Sequence, residues 1–173
     1  MSDRTADRDR AGQLARLLAA NRRHAESFEA ADLPAAPRAG LAMLTCMDAR
    51  MILADIFGLK VGDANVLRNA GAIATDDVVR SLILSQRVLG TREIVVLGHT
   101  GCGLHRLRED KLRADVTIEA GTPAEVEFGA FDDLDEHVRR QVATLAGHPL
   151  LLDVPVHGLV YEVETGRVRP IDS

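Results

Sequence analysis

The spacing of apolar positions changes several times along the chain, and each change predicts an element. Over residues 11–31, Leu14, Leu17, Leu18, Asn21, Ala25 and Phe28 share one stripe with arginines around the rest, which predicts a helix stopped by Pro34. Residues 35–40 form a short linker, so residues 1–40 read as a helical arm that packs either on another subunit or on its own core. Residues 41–45 and 94–98 are short apolar runs, too brief for free-standing helices, and read as buried strands. A short helix over 51–57, closed by Gly58, and a strand over 64–67 follow the first of them. Thr75 caps a helix with Asp76 and Asp77 in its first turn, Val78, Val79, Leu82, Ile83, Gln86 and Leu89 on its apolar face, and Gly90 at its end. Strand, helix and strand then make a parallel crossover.

Beyond the second strand, residues 104–112 are expected to be helical and residues 115–129 a surface loop near the site. Leu134, Val138, Val142 and Leu145 mark an amphipathic helix ending at Gly147, with Pro149 beyond it. Residues 156–163 read as a strand, and Glu164-Thr165-Gly166-Arg167 as a hairpin turn into Val168 and Pro170. The pattern predicts an α/β fold with a mainly parallel central sheet flanked by helices: an arm over 1–40 and one domain over 41–173.

Length and charge narrow the function. At 173 residues and 46% hydrophobic, the chain can bury one substantial core. Acidic residues outnumber basic ones 26 to 21, which excludes a broad basic face for nucleic acid or an anionic membrane. No run approaches the ~18 apolar residues of a membrane span. A cytoplasmic protein is expected, and its two cysteines cannot build a disulfide framework.

Those cysteines carry the chemistry. Cys46 ends one predicted strand. His99 and Cys102 follow the other, on a turn where Gly98, Gly101 and Gly103 are expected to supply backbone freedom. Ligands bind beyond the carboxyl ends of strands in open parallel sheets, so Cys46, His99 and Cys102 can meet there and hold zinc. Three protein ligands leave one tetrahedral position open, the pattern of a catalytic site.

With these residues in view, the chain resembles the β-class carbonic anhydrases. It carries Cys46-Met47-Asp48-Ala49-Arg50 for their Cys-x-Asp-x-Arg, His99-Thr100-Gly101-Cys102-Gly103 for their His-x-x-Cys-Gly, and Arg68-Asn69-Ala70-Gly71 for a third signature. The resemblance implies zinc on Cys46, His99 and Cys102 and reversible hydration of carbon dioxide to bicarbonate by zinc-bound hydroxide. It also implies a homodimer or higher homo-oligomer with sites at a subunit boundary and the first helix reaching onto a neighbour. The chain has no tryptophan and only Tyr161 among tyrosines, so it lacks the tryptophan and tyrosine pair with which some members bind regulatory bicarbonate.

Asp48 is expected to accept the hydroxide's hydrogen bond, and Arg50 to hold Asp48 ionised through a paired fork. The competing assignment for both is a helix cap with a surface ion pair. Asp48 as a direct zinc ligand would give a closed, inactive state. His105 is read as a proton relay or an exposed helix residue, His24, His137, His148 and His157 as surface or capping groups, and Arg68 and Asn69 as braces. Three alternatives stand beside hydration: hydrolysis of carbonyl sulfide or carbon disulfide at the same zinc, a zinc-holding regulatory protein with Asp48 as fourth ligand, and redox use of the thiols. The last is disfavoured because neither cysteine lies in a Cys-x-x-Cys pair.

Overall fold

The computed structural model describes residues 3–172, with side chains described from residue 12 onward. The chain divides into two units, Met1–Leu33 and Pro34–Ser173. The first is built on helix α1 (Asp3–Glu26), which starts earlier and stops sooner than its apolar stripe predicts. Its opening turns are rich in charge and poor in apolar residues, so hydrophobic period could not find them. The hydroxyl of Ser27 bonds the His24 carbonyl just past its end. Leu14, Leu17, Leu18 and Phe28 are about half exposed or more.

In the second unit the elements run β1 (Leu41–Cys46), α2 (Leu53–Phe57), β2 (Ala64–Asn69), a 3-10 turn (Ala70–Ala72), α3 (Asp76–Arg87), β3 (Glu93–His99), α4 (Glu109–Ala120), α5 (Leu134–Ala146), β4 (Val156–Glu162) and β5 (Arg167–Ile171). The strands form one sheet in the order β2-β1-β3-β4-β5. The first four are parallel, and β5 returns antiparallel from the hairpin. This is the mainly parallel α/β sheet the sequence predicts.

Alternating residues feed two apolar layers. Ala42, Leu44, Ile94, Val96 and Val160 pack with Val78, Val79 and Leu82 of α3 and Val138 and Leu145 of α5. Met43, Val95 and Leu97 pack on the other side with Met51, Leu53, Leu104 and Phe131. Thr75 caps α3 as its sequence predicts, accepting from the Val78 N–H, and Asp133 does the same for α5 from Glu136.

Two local expectations are overturned. The segment over 104–112 is not one helix: Leu104 is drawn into the core, its carbonyl accepts from Phe131, and Arg106 takes a left-handed φ of 57°. Helix α4 forms only after this turn and takes up the first part of the expected loop, leaving residues 122–129 irregular as expected and ending at Gly121 with a φ of 66°. It buries no residue, so it has no apolar period to read. It is tethered instead by polar bonds, with the Glu109 carboxylate accepting from Phe128 and Ala130 and Arg113 donating to the Val126 carbonyl.

The second correction concerns the glycines beside His99. Only Gly101 is left-handed, at φ 62°. Gly98 serves a different need, since a Cβ there would stand 2.6 Å from Val138 Cγ2 and 3.2 Å from Leu134 Cδ1. On the neighbouring strand, a Cβ at Gly158 would lie 3.0 Å from the other methyl of Val138. Both glycines let α5 approach the sheet. Gly98→Ala is therefore expected to overpack this contact and cost about 1–3 kcal/mol, seen as an earlier urea-unfolding midpoint. An unmoved midpoint would mean that α5 can retreat without loss.

Candidate metal centre

Adjacent parallel strands end at the same edge of a sheet, and here that edge collects three donors. Cys46 is the last residue of β1, His99 the last of β3, and Cys102 lies in the turn that follows. The sulfurs and an imidazole nitrogen all lie within 4.8 Å of one another, and the three residues are 5%, 1% and 8% exposed. Such a group of soft and borderline donors can hold a metal ion.

The imidazole shows that the fit is more than proximity. His99 Nδ1 lies 2.8 Å from the Thr100 carbonyl, so that nitrogen carries the proton and donates. His99 Nε2 then presents a lone pair. It is the one buried side-chain nitrogen or oxygen among the described residues with no hydrogen-bond partner. Leaving a buried acceptor unmatched costs about 1–3 kcal/mol, a cost that a cation at this point offsets.

Electrostatics at the two sulfurs agree with a cation site. The Cys46 thiol is pulled down, first by the Cys102 thiol and also by His99 and the Gly71 and Asp48 backbone, against the opposing effect of burial. Cys102 is pushed up, first by its bond to Cys46 and then by burial. The metal-free pair therefore favours one thiolate and resists a second. Burial lowers the His99 value, but contact with Cys46 and the Thr100 carbonyl outweighs it and the net direction is upward.

Asp48 stands beside this group without joining it. Its carboxylate takes both arms of the Arg50 guanidinium, Nε to Oδ1 at 2.9 Å and a terminal nitrogen to Oδ2 at 2.7 Å. The Arg50 backbone N–H adds a third bond, to Oδ1 at 2.9 Å. These contacts, the side-chain fork first, hold the Asp48 carboxyl well below the usual carboxylate range. Oδ2 lies 3.8 Å from His99 Nε2. Asp48 caps no helix, because α2 begins at Leu53 with Ile52 as its N-cap.

The surrounding turns are fixed by residues of the third motif. Arg68 donates to the Cys46 carbonyl at 3.0 Å and to the Asp48 carbonyl at 2.7 Å, tying down both ends of that turn. Asn69 clamps Ile73 through its N–H and its carbonyl. Arg50 also donates to the Gly101 carbonyl at 3.0 Å, which links the two motif turns.

The histidines outside the cluster divide unevenly. His105 is exposed and outside any helix, in an isolated bridge with Phe131 and bonded to the Asp132 carbonyl. His24 and His157 are exposed, and the latter pairs with Glu93 at 3.0 Å. His148 accepts from the Leu150 N–H. His137 is neither surface nor cap: it is 2% exposed, stacked on Phe131 with ring centroids 4.1 Å apart, and bonded to the Gly71 carbonyl. Thr100 and Glu164 also escaped the sequence reading. Glu164 accepts from the Thr100 hydroxyl at 2.7 Å, and that hydroxyl accepts from the Val163 N–H, so the hairpin steadies the residue that orients His99. The i, i+4 placement of His137 and Gln141 on the apolar face of α5 is a signal that could have exposed the first of these.

Residues 41–168 match the family model described as carbonic anhydrase. The chain is 37% identical over 155 residues to beta-carbonic anhydrase 1 of Mycobacterium tuberculosis, covering 89% of this chain and 94% of that protein. A carbon disulfide hydrolase of an Acidianus strain is 36% identical over 152 residues, 73% of this chain and 74% of that one. Among solved structures, the carbonic anhydrase of Streptococcus mutans superposes with a TM-score of 0.88 at 39% identity, covering 92% of this chain and 97% of the other. A matched model spanning most of the chain, together with relatives of this identity and coverage, places it in the β-carbonic anhydrase family, whose members are zinc enzymes.

Proposed function

We propose that this chain hydrates carbon dioxide reversibly to bicarbonate, with zinc held by Cys46, His99 and Cys102, Asp48 as the residue that orients the attacking hydroxide, and Arg50 as the group that holds Asp48. The observation that carries the reading is the unpartnered Nε2 of His99, aimed at two thiols with a fixed carboxylate beside it. Zinc on such a donor set is a Lewis acid whose formal charge the two sulfurs cancel, so it supplies hydroxide on the alkaline side of neutrality.

The chain's own residues do the rest. Asp48 stays ionised under its guanidinium fork; Oδ1 accepts twice from Arg50, and Oδ2, which accepts once, keeps acceptor capacity on the side of His99. It accepts a hydrogen bond from the attacking hydroxide, which turns an oxygen lone pair toward the carbon of carbon dioxide. Because Arg50 is anchored on Gly101 as well, the carboxylate is positioned before substrate arrives. Asp48 lies outside the group of three donors and is held by Arg50, which favours the orienting role over that of a fourth ligand.

A second reading keeps the same residues and changes the substrate to carbon disulfide or carbonyl sulfide. The carbon disulfide hydrolase relatives, 36% identical to this chain, support it. The reading also holds the chain to be cytoplasmic, where two ligand thiols stay reduced. It takes the active form to be a homo-oligomer, because the exposed leucines of α1 are an apolar face that a second copy can cover.

Stopped-flow hydration of carbon dioxide, with zinc quantified in the same sample, is expected to give turnover that rises from about pH 6.5 to about 9. A profile already flat at the acid end would contradict the two-thiolate donor set, and turnover of carbon disulfide alone would favour the second substrate. Asp48→Asn is expected to keep its zinc and lose about 100-fold or more in kcat. Loss of zinc in that variant would make Asp48 a ligand instead. Light scattering on the purified chain is expected to report a dimer or larger; a monomer with full activity would refute a site completed by a neighbour.

A further inference from the structure

Helix α5 bonds both the Ala70–Ala72 turn and the chain two residues beyond it. His137 Nε2 lies 2.8 Å from the Gly71 carbonyl, and one helical turn later the Gln141 side chain accepts from the Ala74 N–H at 3.0 Å. The same Gly71 points its own N–H at Cys46 Sγ, at 3.4 Å. An Arg140 guanidinium nitrogen lies 3.1 Å from His137 Nδ1. Arginine can only donate, so Nδ1 is the acceptor, and the proton sits on Nε2, facing the Gly71 carbonyl. The ring is fixed further by its stack on Phe131.

We propose that His137 is a positioning residue for the metal centre: through Gly71 it holds an N–H on the sulfur of Cys46 and so sets how firmly that thiolate grips the metal. This rests on the metal-site reading above. Gly71 can play the intermediary because its φ of 79° suits glycine and a Cβ there would meet Leu104 at 2.6 Å. A residue with two hydrogen-bonding duties on opposite sides needs one of them anchored, and a buried, stacked, singly protonated imidazole is a stiff anchor. Groups bonded directly to a ligand typically change metal affinity about 10-fold to 100-fold when removed, and His137, one bond further out, is expected to act at the low end of that range.

The test compares the full chain with His137→Phe, which keeps a stacking ring but has no donor, and His137→Gln, which restores one. Loaded with cobalt, His137→Phe is expected to shift the thiolate-to-cobalt charge-transfer band and to release metal to a competing chelator about 10-fold more readily, and His137→Gln to recover most of both. Equal spectra and equal retention in a folded His137→Phe protein would overturn the proposal while leaving the metal site intact. If that variant does not fold, the cadmium-113 form of the unaltered chain decides the matter. A scalar coupling between the metal and the Gly71 amide proton supports the proposal, and none at that proton overturns it. A chain that takes up neither cobalt nor cadmium removes both this inference and the metal-site reading.

Discussion

Parallel pairing of β1 with β3 is the constraint on which the centre depends. The register sets Thr45 against Leu97, so the next residue on β1 and the last two on β3 emerge together at one edge. That edge is where a parallel sheet has run out of strand partners, and side chains there are held by the sheet without being enclosed by it. Two thiols and an imidazole crowded into such a place are an unfavourable group by themselves. Burial opposes their charge, and one imidazole nitrogen has nothing to bond. A divalent cation relieves both penalties at once, which links metal binding to the stability of the edge itself.

Rigid supports surround that edge on every side the chain provides. Arg68 ties the Cys46 turn by two carbonyls, Arg50 ties the Asp48 carboxylate to the Gly101 carbonyl, and the Thr100 carbonyl accepts from His99 Nδ1–H while Glu164 holds the Thr100 hydroxyl. The Cys46 turn, the His99 ring and the Asp48 carboxylate are thus held by different elements. This matters for catalysis because an electrostatic or orienting group helps only if it needs no rearrangement during the reaction. Asp48, its backbone tied by Arg68, gains from Arg50 a fixed carboxylate as well.

What the sequence disclosed and what it hid follow from the same physics. Strands β1 and β3 were legible because both their faces are buried, so they read as unbroken apolar runs with a chemical residue at the end. The cap at Thr75 and the crossover through α3 were legible because each uses local signals. Helix α4 was not, because tethers from Glu109 and Arg113 replace an apolar face, and side-chain bonds to distant backbone leave no period. Gly98 misled for a related reason: its need is room for Val138, a residue 40 positions later in the numbering, and nothing near it in sequence says so. His137 was hidden by its composition class, since a polar residue beside Val138 reads as solvated until the Gly71 carbonyl above it is seen.

The donor set does not choose between carbon dioxide and its sulfur analogues. All three are linear, lack a charge to recognise, and present an electrophilic carbon to the same hydroxide. Discrimination between molecules that differ only in size and polarisability is worth little per contact, about 1–3 kcal/mol for a methylene-sized change in an apolar pocket. It must therefore come from the walls of the approach and not from Cys46, His99, Cys102 or Asp48. Met47, between Cys46 and Asp48 in the sequence, is 68% exposed. A flexible, polarisable thioether at that point is suited to contact either oxygen or sulfur. Substrate preference is thus expected to follow what lines the approach beside Met47, while under the proposed mechanism the rate of attack follows the Asp48–Arg50 pair.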